Sequence, residues 1–215
     1  MLSLKNYLLL STQVALLGHV VSELRAVTVD LNEINKLIIL HFFYDCKVND
    51  KLFELASCAS AEMDLGPDCH TSYLMNDDLA IQLDYPTEIP VAGKLVYLRR
   101  EPFLPNFVEE TRVHLLTQTT PTVILLLDIQ EALLGKVTPA LREVSVDIHP
   151  NQKRLFFYFI YDGEVSKEDF HLAHLAIAEV SQSFPGFQVD KDIERIDSPA
   201  KITRRGQRVA FARKE

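Results

Sequence analysis

An α+β fold built from two tandem helix-strand-strand-helix-strand-strand modules is predicted by three observations on the 215-residue chain. The first is internal duplication. Ala15-Leu16-Leu17-Gly18-His19-Val20 returns as Ala132-Leu133-Leu134-Gly135-Lys136-Val137, Leu24-Arg25 as Leu141-Arg142, Val29-Asp30 as Val146-Asp147 and Tyr44-Asp45 as Tyr161-Asp162. From Ala15 to Met63 about 21 of about 49 positions are identical to their counterparts without a gap, the signature of a repeated unit. The register then slips by a few residues, yet Leu83-Asp84-Tyr85-Pro86 answers Ile196-Asp197-Ser198-Pro199 and Gly93 answers Gly206. The second observation is that each copy carries both the strand period of two and the helical period of 3.6. The third is composition: 47% hydrophobic and 24% charged residues are the proportions of a globular protein, and no apolar run is long enough to span a bilayer. The copies are residues 1–101 and 118–215, joined by a linker at 102–117.

Each copy opens with an amphipathic helix that ends near Gly18 or Gly135, where a left-handed cap is wanted. Val27, Val29 and Leu31 alternate with Thr28 and Asp30, as Val144, Val146 and Ile148 do with Ser145 and Asp147, which is the period of a half-buried strand. After a polar break, Leu37 to Tyr44 and Leu155 to Tyr161 are rich in aromatic and branched residues, so each reads as a second strand in a hairpin with the first. Ser166 followed by Asp169 is a capping pattern, and Phe170, Ala173, Ile177 and Val180 continue at helical spacing. The counterpart helix starts at Asn49, carries Leu52, Leu55, Ala56 and Ala59, and ends before Gly66-Pro67. Two further strands close each module, around Tyr73 to Leu83 and Gly93 to Arg99, and around Gln188 to Ile196 and Gln207 to Arg213. The expected module is a four-stranded antiparallel sheet with both helices on one face, and two of them form a pseudo-twofold pair. The linker ends in Val113, Leu115 and Leu116, too apolar for a free tether, and is expected to pack along the joint.

The net charge of −8 argues against nonspecific nucleic-acid binding and for either a basic partner or plain solubility. Most of it belongs to the first copy, through Asp64, Asp68, Asp77, Asp78, Asp84 and Glu88. A solvated loop is the simpler reading of these acids; a partner-binding face is the functional one. Tyr7 to Leu10 resembles the apolar stretch of a signal peptide, but Ile124 to Leu127 occupies the same place in the second copy, in mid-chain. The stretch therefore belongs to the folded module, and a cytoplasmic location is expected. Cys46, Cys58 and Cys69 are odd in number and all in the first copy, which speaks against a disulfide framework.

Catalytic signatures are scarce. There is no nucleophile elbow, no glycine-rich phosphate loop and no dinucleotide fingerprint. Cys46 with His41 or His70 is a conceivable thiol pair whose geometry nothing in the sequence fixes, and a buried or incidental thiol is the simpler reading. Cys69-His70 and the pair His171 and His174 lack the further ligands of a zinc site, so neither a metal nor a cofactor is expected. Lys201, Arg204, Arg205, Arg208, Arg213 and Lys214, with Phe211 among them, suggest a nucleic-acid surface but equally fit the outward face of a basic hairpin. Arg25, Arg142 and the Tyr-Asp doublets, kept in both copies, read as structural: an arginine paired with Asp30 or Asp45, or an aspartate setting the turn after the second strand.

The run from Ala132 to Val146, the run Phe159 to Ser166, and Gly93 to Glu101 as a closing strand resemble a family of small bacterial proteins about one repeat long. The resemblance covers nearly all of both copies and implies an immunity partner of contact-dependent or polymorphic secreted toxins. The chain departs from the single-copy form by its duplication, by Cys46 in place of the turn glycine, and by Val21-Ser22 in place of Thr-Pro. No binding residue is carried over. The expected function is therefore that of a non-enzymatic, monomeric immunity protein that occludes a basic toxin domain, binding neither nucleic acid nor membrane, with Asp64, Asp68, Asp77 and Asp78 as its contact acids. The alternatives are a scaffold presenting a groove between the repeats and, least favoured, an enzyme using Cys46 or Cys69.

Overall fold

A computed structural model describes residues 4–63, 73–90, 93–101, 121–203 and 206–214. The first half runs α1 (Leu4–Ala15), β1 (Leu24–Asn32), β2 (Leu37–Tyr44), α2 (Asp50–Ala61), β3 (Leu74–Gln82) and β4 (Lys94–Leu98). The second repeats this order with α3 (Pro121–Leu133), β5 (Leu141–His149), β6 (Arg154–Tyr161), α4 (Lys167–Ser181), β7 (Gln188–Arg195) and β8 (Arg208–Ala212). A 3₁₀ turn, Pro150–Gln152, bends the β5–β6 hairpin. The linker at 102–117 lies outside the described residues, so its packing along the joint is not described.

The element order agrees with the sequence expectation; the antiparallel sheets do not. The strand orders are β3-β2-β1-β4 and β7-β6-β5-β8. β1 pairs antiparallel with β2 and with β4, but β2 pairs parallel with β3, and β6 parallel with β7. The reason is the helix between them. A hairpin turn reverses the chain and gives antiparallel neighbours, whereas α2 or α4 carries the chain back to the starting end, so the next strand runs parallel. The last strand of each half then crosses to the opposite edge, beside β1 or β5.

Local chemistry explains the elements. Asn49 Oδ1 accepts from the Leu52 amide at 3.0 Å to start α2. Ser166 and Asp169 form a reciprocal capping box on α4, and Thr138 Oγ1 donates to Asp169 Oδ1 at 2.7 Å. Gly18 and Gly135 do adopt positive φ, 79° and 68°. In β1 and β5, and again in β2 and β6, buried and half-buried positions follow the same order residue by residue. The buried positions Val27, Val29, Leu40 and Phe42, with Val144, Val146, Phe157 and Phe159, join the helices in one hydrophobic core that runs through both halves. Burying such side chains is worth about 1.5 to 3 kcal/mol each, the main force holding the layers together.

The halves are joined reciprocally. Gly18 donates its amide to Ala212 O and Gly135 to Leu98 O; Lys214 donates to Val20 O and Arg100 to Val137 O. Val20 thereby bridges Arg213 beyond β8, and Val137 bridges Arg99 beyond β4. Buried Gln13 donates to Ala210 O at 3.0 Å, and Gln130 to Val96 O at 3.4 Å. These backbone and glutamine contacts come in mirrored pairs, as a twofold relation requires. Each half thus extends the β4 or β8 edge of the other's sheet, leaving β3 and β7 as the outer edges.

Candidate partner-binding surface

The polar residues that both copies keep are consumed by the fold. Arg25, almost fully buried, donates from Nε to Glu101 Oε1 at 2.5 Å and from Nη2 to Glu101 Oε2 at 2.8 Å, and its remaining bonds go to the carbonyls of Leu83 and Thr87. The hydrogen bond to Glu101 raises its pKa above an already high value. In the second half Arg142 donates to the carbonyls of Ile196 and Ala200; Glu215, which holds the place of Glu101 in the sequence, lies outside the described residues. The expected pairing of Arg25 with Asp30 or Asp45 is therefore corrected. The bonded carboxylate comes from the far end of the module, because β4 runs beside β1 and returns Glu101 to Arg25.

Asp45 instead accepts from the Tyr85 amide at 2.7 Å and from Arg99 at 2.8 Å, while Asp162 accepts from the Ser198 amide and from Arg213, both at 3.0 Å. Burial pushes the Asp45 carboxyl up, but the Tyr85 amide and the Arg99 and Arg25 guanidinium groups more than offset it, so it sits below the ordinary value. Asp162 is lowered in the same way, by the Ser198 amide first and Arg213 next. Tyr44 and Tyr161 bury their rings and donate their hydroxyls to Leu52 O and Asp169 O, each at 3.3 Å. The doublet after the second strand thus ties that strand to the helix on one side and to the loop before the last strand on the other. The aspartates thus brace the loop before the last strand, at Tyr85 and Ser198, and not the turn before the helix that the sequence suggested.

Among the described residues the thiol and imidazole candidates gain no activating geometry. Cys46 is half-buried against the core, and burial, with Glu23, Asp45 and Asp84 nearby, pushes its thiol up, away from thiolate. Cys58 is exposed on α2; Cys69 and His70 lie outside the described residues. His41 is held low by burial, opposed by Asp30, and lies 3.4 Å from Thr28 Oγ1. His171 and His174 are exposed on α4, where His174 meets Phe170 edge-on. No group of three or more potential metal ligands occurs among the described residues. Of the basic C-terminal run, Arg213 is committed to Asp162 and Pro139 O, Phe211 is buried in the core and cannot stack on a base, and Arg204 and Arg205 lie outside the described residues.

The four acids proposed from sequence are only partly placed. Asp64 and Asp68 lie outside the described residues. Asp77 and Asp78 fall on edge strand β3, where the register with β2 slips between Ile39 and His41, so both stand against Leu40 in a bulge; their side chains are not described.

The equivalent edge in the second half is regular and acidic. β7 pairs with β6 without a slip, setting Asp190 opposite Phe156, Asp192 opposite Tyr158 and Glu194 opposite Ile160. These residues share the sheet face turned away from the helices, since the intervening Leu155, Phe157 and Phe159 point into the core. Ring and ion contacts mark the same face: His149 meets Phe156 edge-on at 5.4 Å, and Arg154 Nη2 reaches Asp190 at 2.6 Å. Sequence reasoning passed over this row, although Asp190, Asp192 and Glu194 recur with a period of two.

The two interlocked α+β modules spend their retained polar groups on internal bonds and differ in the pairing of their outer strands. No curated protein matches the sequence. The model of the MafI2 immunity protein family matches residues 5–101 and again 123–215, and the chain belongs to that family as a tandem duplication. Immunity proteins are in general not enzymes, and membership implies a toxin partner.

Proposed function

We propose that the chain neutralises a secreted toxin by binding its active domain and covering it, without chemistry of its own. The observation that carries this reading is the family match over both halves. Its physical support is the acidic surface: a net charge of −8 draws a basic domain, raising the association rate, while a small apolar centre supplies affinity. Asp64, Asp68, Asp77 and Asp78 are the first-half acids proposed to take part. The reciprocal joint supplies within one chain what a symmetric dimer would need two for, which supports a monomer; the cytoplasm of the protected cell is its proposed place of action. The scaffold reading draws less support, since among the described residues the pocket at the seam, lined by Leu16, Leu133, Val96 and Phe211 among others, is small and apolar.

The test is a pull-down of the tagged chain from its own cells, followed by co-expression with any secreted-toxin domain that copurifies. Survival of the cells with a one-to-one complex supports the reading. Unrelieved toxicity with no complex refutes it.

A further inference from the structure

The cavity at the seam, of about 30 Å³, is lined by seven residues of each half. Those from one half are the counterparts of those from the other, Gln13 with Gln130 and Tyr97 with Phe211 among them, so it straddles the pseudo-twofold axis. Its two β walls differ. β8 brings Ala210 and Phe211 where β4 brings Val96 and Tyr97. The shorter Ala210 side chain opens room on one side of the axis, and on the other Tyr97 adds a hydroxyl that Phe211 lacks.

Three buried polar side chains line this space. Tyr97 is 6% exposed, Gln13 7% and Gln130 8%. Each glutamine spends an amide N–H on a carbonyl of the opposite half, Ala210 O or Val96 O, and no donor to its amide oxygen occurs among the described residues. The Tyr97 hydroxyl likewise makes no hydrogen bond among the described residues. Burial raises its pKa, so it stays a neutral phenol, able both to donate and to accept. Buried polar groups are bonded as a rule, to protein or to ordered water. A water needs about 10 to 15 Å³ of such space and roughly two to four polar partners, and the seam meets both conditions. An organic ligand is excluded by size, since a cavity that admits benzene measures about 150 Å³.

We propose that the seam cavity is a water-binding site, in which about two ordered waters join the Tyr97 hydroxyl to the amide oxygens of Gln13 and Gln130. The glutamines then bridge the halves twice, directly through their N–H groups and through water by their oxygens. Such waters are part of a structure and costly to remove. The site belongs to the joint and not to the toxin contact, so its failure leaves the proposed neutralisation untouched.

A high-resolution crystal structure of the full chain, with water-to-methyl cross-relaxation by NMR in solution, tests the proposal. Water is expected within about 3.2 Å of the Tyr97 hydroxyl and of at least one of the two amide oxygens, with cross-relaxation to the Ala210 methyl. A dry cavity, or a Tyr97 hydroxyl bonded to a protein group, overturns the proposal. A210V, which gives β8 the residue that β4 has, is expected to displace the waters and lower the unfolding midpoint by about 3 °C. A dry packing defect would instead be filled, and a raised midpoint overturns the proposal. In the Y97F background, where no hydroxyl is left to satisfy, A210V is expected to lower the midpoint less than half as much. An equal fall in both backgrounds marks overpacking alone and overturns the proposal as well.

Discussion

The two halves keep the same skeleton and wear different surfaces. Tyr44 and Tyr161, Asp45 and Asp162, Arg99 and Arg213, Gln13 and Gln130 make matching bonds at matching places. On the outer sheet faces the match ends. β6 and β7 run in register with aromatic and acidic partners, whereas β2 and β3 are interrupted by a bulge and pair largely apolar side chains. Divergence after duplication therefore separates what folding requires from what each surface does. Identical residues in the two copies report the former, and differences are where recognition is to be sought.

The comparison is broken most severely at the buried ion pair. Arg25→Ala leaves Glu101, in a site only 3% exposed, with the longer 3.4 Å contact to Arg99 in place of its two close bonds, and is expected to cost about 3 to 5 kcal/mol in urea unfolding. The double variant Arg25→Met with Glu101→Leu, which leaves no unpaired charge, is expected to recover most of that loss. A double variant as unstable as the single one would mean that the bonds to Leu83 O and Thr87 O carry the stability instead.

Next come the equivalent glycines before the last strands. Gly93 has φ 93°, and an added Cβ would lie 2.6 Å from Val29 O; at Gly206 the nearest atoms, at 2.9 Å, are those of Ser145 and the Val146 amide. Gly93→Ala combines backbone strain with a clash and is expected to cost about 3 kcal/mol, more than Gly206→Ala, where only the clash applies. Equal unfolding midpoints for the two variants would contradict this ranking.

The helix caps sharpen the comparison more gently. Asn49 makes a single capping bond, while Ser166 belongs to a reciprocal box that also involves Asp169 and Thr138. Removing the Asn49 side chain is expected to cost about 1 kcal/mol and Ser166→Ala closer to 2. A larger loss at Asn49 would show that the box adds nothing.

Acid should reveal the smallest difference. Asp45 and Asp162 have folded pKa values below the unfolded one, so the stability they give is complete above about pH 4 and is lost as the pH falls through their lowered values. Asp197, pushed down to about 2 by Arg195 first and the Gly163 amide next, extends this loss to lower pH in the second half. Asp45→Asn and Asp162→Asn are each expected to flatten the fall of the unfolding midpoint between pH 4 and 2. An unchanged slope in both would remove these aspartates from the account.

Much of the framework was legible because repetition doubles every signal. The hairpin Val27 to Tyr44, the cap at Ser166 and the glycines at 18 and 135 stand out once each is seen twice. The parallel pairing was not legible, since the edge that a strand joins is decided by where α2 or α4 packs and not by the strand's own period. Arg25's partner was hidden for a related reason: Glu101 is 76 residues away, and only the return of β4 beside β1 brings it back. The acids were sought by local density, which picked out Asp64 to Asp78, whereas a sheet displays residues by alternation, and this is what Asp190, Asp192 and Glu194 follow.

The most direct test of divergence between the two outer faces is hydrogen exchange, followed by mass spectrometry, on the full chain with and without the toxic domain. Slowing that differs between peptides spanning β2 and β3 and those spanning β6 and β7 is the predicted result. Equal slowing in both halves, or none, would contradict it.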